Sequence, residues 1–369
     1  MTVHTALTVT TRFPLVDHKR PPAKPLDGRV ARLVGLAENA VRDQDSDTAS
    51  MVFNGAALVA SDCGDAELAR SWCHRHASLY LRRAPLDGHA ARFALEPIVN
   101  LARLRIRAGD GDAAHSLLTD LFQAIHGRTA TVIDGIELRP EHLPADPDQR
   151  DHILEWLRDV LLADGTRAYT SAGKWADALT HVRRYSGIGS TLREGRQVAI
   201  IALAMRGNNA TAAALLNEAT FEHPWEQVVH DLLQTWHAQT TGVCRPATHE
   251  ELLDRALEVP TGPGLSVFRT RLCLAAIDLI PDVPQAVARN AISVLVPDVL
   301  RSEDANAARD LHHHYAAGPE HHERLTRLIA ASGLAVGQVP EKARESLTSA
   351  LELAEKAIGA TSAGTNPPP

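Results

Sequence analysis

Histidine is abundant, at 19 of 369 residues, and His312, His313, His314, His321 and His322 crowd into one short stretch. Zinc or nickel needs three or four ligands converging on one point, and His314 followed by Gly318-Pro319 could fold back towards His321 with Glu320 or Glu323 alongside. Neighbouring side chains on a helix, however, point about 100 degrees apart. A solvated, histidine-rich helix end is the expected reading, with no resident metal or cofactor. His74 with His76, and His230 with His237 beside Trp225 and Trp236, would need partners that spacing alone does not supply. Glu250-Glu251 and Glu303-Asp304 fit first-turn acids favoured by the helix dipole. No HExxH, P-loop, GxGxxG, nucleophile elbow or kinase signature occurs, so the sequence points to recognition rather than to catalysis.

Composition narrows what must position these residues. Apolar residues make up 44% of the chain and aromatics only 4%, with alanine, leucine and arginine abundant, which favours close helix packing over broad sheets. A formal charge of -7 argues against a general nucleic-acid binder. No apolar run nears the ~20 residues needed to span a bilayer, and the start lacks the order of a secretion signal. Cys63, Cys73, Cys244 and Cys273 lie far apart without CxxC spacing and read as reduced thiols, so a cytoplasmic protein is expected.

The organising signal is a repeated turn. Gly173 and Gly207 are 34 residues apart, and each is followed five residues on by an alanine, Ala178 and Ala212. Gly64 with Ala69 and Gly109 with Ala114 share that offset. Two antiparallel helices need a tight reversal and a small residue where their backbones cross; each pair leaves an apolar face that only a neighbouring pair can cover. Ser302-Glu303-Asp304 imitates the turn without its glycine. Expected N-caps are Ser46 or Asp47, with capping boxes at Thr191/Glu194 and Thr248/Glu251.

Residues 1–27 are proline-rich and without helical period, which predicts a disordered arm, and 359–369 predict a disordered tail. Between 128 and 147 the pattern breaks. Thr131–Leu138 reads as a short β-hairpin with an Asp134-Gly135 turn, and Pro140, Pro144 and Pro147 deny helix to the residues after the hairpin. That insertion is expected to cover the edge of the helical stack, with a lid over a groove as the sharper alternative. The segment 266–280 is apolar on nearly all sides and should be buried. Pro340 should open a last helix whose Leu347, Leu351 and Ala354 cap the open end of the stack.

At its four glycine turns the chain resembles the tetratricopeptide-like helical proteins of high-GC bacteria, some of which form the sensor half of helix-turn-helix regulators. Tyr169 before Gly173, Trp175 after it and Ala178 fall where that family carries its tyrosine, aromatic and small residues. Intervals of 45, 64 and 34 residues between the turns make only the last regular, and Ala57, Ala102, Thr166 and Ile200 replace the family's first-helix glycine. The resemblance implies an all-α fold, a right-handed solenoid of tetratricopeptide-like hairpins over 28–242, followed by a divergent helical continuation and cap over 243–358. It also implies a concave groove lined by the first helix of each unit, which places Asn54, Asn100, Arg103, Arg107, Arg167, Thr170 and Gln197 against a partner. Guanidinium groups and amides there suit an acidic or carboxylate-bearing protein or peptide, unless the arginines spend themselves on Glu96 or Asp110. A peptide-binding scaffold is the first expectation. A sensor acting through another chain, its own DNA-binding helices being absent, is the second, and an accessory or enzymatic protein with a site under the insertion the third.

Overall fold

A computed structural model describes residues 9–242, 249–260, 262–280, 283–314 and 316–361. These residues form an all-α protein whose only sheet is a two-stranded hairpin. No helix among them is long and apolar enough to cross a membrane. The chain divides into two units: unit I draws on 25–168 and 332–369, and unit II on 1–24 and 169–331.

In unit I, α1 (Leu26–Asp43), α2 (Ser46–Cys63), α3 (Ala66–Leu81), α4 (Gly88–Arg107) and α5 (Gly111–Gly127) each pack on the next, and α2 also touches α4. Two short strands, β1 (Thr131–Ile133) and β2 (Ile136–Leu138), lie against α5 and α3 respectively. A 3-10 turn (Pro140–His142) then leads to α6 (Pro147–Ser171). The last helix, α16 (Glu341–Thr361), packs on α1 and α2, so it covers the first helices of the row rather than the end expected from its position in sequence. Its stripe does what was expected of a cap: Leu347, Leu351 and Ala354 are fully buried.

Unit II runs through α7 (Trp175–Arg184), α8 (Glu194–Met205), α9 (Asn209–Asn217), α10 (Pro224–Thr241), α11 (His249–Glu258), α12 (Ser266–Leu279), α13 (Gln285–Ser302), α14 (Ala305–His312) and α15 (Pro319–Ser332). From α7 to α14 each helix packs on its successor, and the pairs α8/α10, α10/α12, α11/α13 and α12/α14 also touch. Helix α12 buries every residue except Ser266, Arg271 and Asp278, as its all-round apolar sequence requires.

The reversals obey one rule, and glycine is only its commonest form. Gly64, Gly109, Gly173 and Gly207 have φ between 71 and 88, and Gln44 (φ 51) and Glu303 (φ 54) take the same left-handed conformation. Five residues on, Ala49, Ala69, Ala114, Ala178, Ala212 and Ala308 are all fully buried, and each donates its N–H to the carbonyl four residues back, at the helix cap. Asp45, Asp65, Asp110 and Asp304 cap with their side chains, so the cap of α2 is Asp45 rather than Ser46 or Asp47. A left-handed L-residue is strained where glycine is not. Gln44→Gly should therefore raise the unfolding free energy by about 0.5–1 kcal/mol in urea titration.

Four further expectations change. Thr191 pairs with Thr220 in an isolated parallel bridge, which leaves Arg193 as the residue before α8 and removes the Thr191/Glu194 box. Pro147 opens α6 instead of denying it, because a first-turn proline gives up an N–H that would have had no helical partner. Residues 9–24 are packed, with Val9, Phe13, Leu15, Val16 and Ala23 buried in unit II, in contrast to the disordered arm expected for 1–27. Helix α16 likewise carries order through 359–361. Thr248 and Cys244 lie outside the described residues, as do 1–8 and 362–369. Cys63, Cys73 and Cys273 are buried thiols, and burial pushes those of Cys73 and Cys273 up to about 12.

Candidate functional site

Helix α4 supplies the backbone of the site. Arg92, Glu96, Asn100, Arg103 and Arg107 follow at steps of four, four, three and four, which sets them on one face of the helix. Opposite faces of α4 separate two jobs, since Ala91, Leu95, Ile98 and Ala102 turn into the core.

From that stripe a polar ladder extends in two runs to α2 and α6. Arg92 sits over the Trp156 ring at 5.2 Å and approaches Glu96 at 3.4 Å. Asn54 donates to Glu96 at 3.0 Å, and Asn100 donates to the Asn54 carbonyl at 3.1 Å. Arg103 donates to Asn100 at 3.0 Å and to Asp164 at 2.9 Å, and Arg167 donates to the other oxygen of Asp164 at 2.8 Å. One helical turn further along α4, Arg107 donates to Ser61 at 2.9 Å and to Asp62 at 2.6 Å, whose second oxygen accepts from Arg29 at 2.6 Å.

Burial divides the ladder into foundation and surface. The side chains of Asp164 and Asp62 are 3% and 6% exposed, while those of Arg103 and Arg107 are 47% exposed and that of Arg167 42%. A carboxylate that deep in the protein is costly without cations, and each of the two holds a pair of arginines, so an arginine that swings away gives up a bond to a buried charge. They are fixed while their outer edges meet solvent. Arg29, Arg92, Arg103, Arg107 and Arg167 outnumber Glu96, Asp62 and Asp164, giving a locally positive face on a chain of net charge -7.

Five of the seven positions expected to meet a partner, Asn54, Asn100, Arg103, Arg107 and Arg167, thus come together in unit I. The other two belong to unit II. Thr170 is half-buried near the end of α6, where its carbonyl accepts the Gly173 N–H at 3.1 Å. Gln197 is fully buried and holds the backbone of Leu15. Neither Glu96 nor Asp110 absorbs Arg103 or Arg107. Sequence reading missed the partners Asp62 and Asp164, although an acid at position 164, continuing the stripe of Leu157, Val160, Leu161 and Ala168, is a visible anomaly on a core-facing row.

The insertion lies elsewhere. Asp134 and Gly135, both at positive φ, turn the hairpin as the Asp-Gly pair predicts. Asp134 is 6% exposed and accepts from Arg70 at 2.8 Å and Arg105 at 2.8 Å, with His74 at 3.1 Å. Burial alone would raise its carboxyl pKa, but bonds from His74, Arg70 and Arg105 outweigh burial and hold it below the usual range. Arg105 stands about 200 degrees round α4 from Arg103, so the hairpin is anchored away from the ladder. Ile133, Ile136, Leu138 and Leu143 are buried on its packed side.

The histidine stretch spreads over separate partners. His312 meets Thr326 at 3.1 Å, His321 meets Ser293 at 3.0 Å, His322 meets the Gly318 carbonyl at 2.9 Å and His314 meets Asp278 at 3.0 Å. Among the described residues no group of three or more histidine, cysteine or acidic side chains converges as a metal site would require. Comparison with family models, curated proteins and solved structures gives no match for this chain.

Proposed function

We propose that this protein is a non-enzymatic scaffold that captures an acidic or carboxylate-bearing protein or peptide on the α2/α4/α6 face. The observation that carries the reading is the pinning of Arg103, Arg107 and Arg167 by the buried carboxylates Asp164 and Asp62. Guanidinium groups held in place before binding lose little freedom when a carboxylate arrives, so the contact retains more of its gross energy. Positive charge on a predominantly acidic chain also steers an acidic partner to this face. The architecture we assign is a right-handed, tetratricopeptide-like stack of helical hairpins. What supports it is the six-fold turn rule and the packing of successive helices from α1 to α5 and from α7 to α14.

Fluorescence anisotropy with a panel of acidic and free-carboxylate peptides tests the reading. Wild-type protein should bind members of the panel, and Arg103→Ala combined with Arg107→Ala should weaken binding at least tenfold while circular dichroism stays helical. Equal binding by the double variant, or binding that ignores peptide charge, would reject the arginine face.

A further inference from the structure

In unit II one segment bonds to helices far from it in sequence. Residues 9–24 run across the start of α8, the start and end of α12 and the start of α14, in contact through buried apolar side chains and through backbone hydrogen bonds. Arg12 donates to Asp278 at 2.6 Å. The Leu15 N–H donates to the Gln197 side-chain carbonyl at 2.8 Å, and the Gln197 amide donates back to the Leu15 carbonyl at 2.7 Å. One side chain thereby reads both polar groups of a single residue, as a neighbouring strand would. Asp17 pairs with Arg193 at 3.3 Å, and His18 pairs with Glu194. Further on, Arg20 donates to the Gly264 carbonyl at 3.1 Å and the Ala305 N–H donates to the Ala23 carbonyl at 3.1 Å. Phe13, Leu15 and Val16 are 5%, 2% and 9% exposed and supply the apolar contact.

Most side chains on the receiving side also hold a partner within unit II. Asp278 also meets His314 at 3.0 Å, Gln197 also donates to the Leu192 carbonyl at 2.9 Å, and Asp304, which accepts from Ala23, also caps Asn306 at 3.0 Å. Arg193 additionally lies 3.6 Å from Glu226 and 5.6 Å from the Trp225 ring. When the arm leaves, Asp278, Arg193, Asp304 and the Gln197 amide group each keep a partner within unit II, while the Gln197 side-chain carbonyl, the Gly264 carbonyl and the Ala305 N–H give up their bonds to the arm and meet solvent instead. The fit is also incomplete: beside Pro22 and Lys24 a cavity of about 360 Å³ opens onto Gly264, Arg269, Thr270 and Val299.

We propose that this track along α8, α12 and α14 is a second peptide-binding site, occupied in cis by residues 9–24. It takes a segment of a partner protein that carries an arginine in a turn, then an extended run with apolar residues and an acid, in the order of Arg12, Phe13, Leu15, Val16 and Asp17. The tethered arm competes at the high effective concentration of an intramolecular ligand, so a partner binds only as the arm leaves. The track shares no residue with the arginine ladder of unit I, and the two can fail separately.

The probe is a fluorescent peptide of residues 9–24, titrated into the full chain. Arg12→Ala with Leu15→Asp in the chain's own arm should let the peptide bind at least tenfold more tightly than to wild type, and Gln197→Leu added to that variant should reverse the gain at least tenfold. Absence of peptide binding to a released-arm protein with native circular dichroism would overturn the site. A concentration-dependent doubling of mass that the peptide does not dissolve would overturn the partner in favour of arm exchange between copies. If the variants do not fold, native-state hydrogen exchange on the unaltered chain decides. The Leu15 amide should exchange through an opening insensitive to low urea and faster than Val198 and Leu232, and exchange of all three only by global unfolding would contradict the proposal.

Discussion

At pH 4.5, His76 is expected to make unit I about 3 kcal/mol less stable than at pH 7, a loss that His76→Leu should remove. The imidazole is 1% exposed, neither ring nitrogen has a hydrogen-bond partner, and it stacks on Phe53 at 4.9 Å with Tyr80 edge-on at 5.7 Å. Burial holds its pKa down to about 3, against 6.5 for the free side chain. The unfolded chain therefore binds the proton more readily than the folded one. Stability is full above 6.5 and drains as the pH falls from there towards 3, at about 1.4 kcal/mol per unit. Urea titrations of wild type and His76→Leu at both pH values, with amide exchange read on α2 and α3, give the double difference. A difference near zero would mean that the imidazole finds a partner or takes up its proton without unfolding.

Gly195→Ala is expected to cost about 3 kcal/mol or more, although alanine is the better helix former. An added Cβ would stand 2.7 Å from the carbonyl carbon of Gly187 and closer still to its oxygen, and both are backbone atoms that cannot rotate aside. The close approach is held from both sides, because Arg196, 4% exposed, donates to the Leu215 carbonyl at 3.0 Å and to the Gly189 carbonyl. Gly35→Ala in α1 is the control: nothing lies within 4 Å of its Cβ position, and the same substitution there should stabilise by about 0.5–1 kcal/mol. Thermal melts of the two variants should move in opposite directions. Because Gly195 opens the helix that carries Gln197, its substitution should also loosen the arm.

Legibility followed the range of the interactions. Gly64, Gly109, Gly173 and Gly207 could be read because a left-handed turn and a close helix crossing are local demands, and Asp134-Gly135 could be read for the same reason. The turns at Gln44 and Glu303 obey the same geometry without a glycine; the aspartate one position on and the alanine five positions on betray them. Proline content concealed the packing of residues 9–24, since the burial of Phe13, Leu15 and Val16 has meaning only against helices that come some 180 residues later, Gln197 being 182 positions from Leu15. In the ladder, the face of α4 was legible from its spacing. The carboxylates that fix it, 45 and 61 residues away, were not.

Both units cover helices with a segment distant from them in sequence. Helix α16 closes the α1/α2 end of unit I, and residues 9–24 cover the α8/α12/α14 track of unit II. Open ends of helical rows expose apolar surface and need such covers. The covers differ in what they meet: α16 buries a continuous apolar stripe, whereas the arm combines buried Phe13, Leu15 and Val16 with bonds to polar side chains, most of which have a second partner.

Hydrogen–deuterium exchange of the full chain with and without a tightly bound acidic peptide tests the scaffold reading most directly. Protection should concentrate on α2 around Asn54 to Asp62, on α4 from Glu96 to Arg107 and on α6 from Asp164 to Arg167. Protection confined to other helices, or an unchanged pattern at saturating peptide, would contradict it.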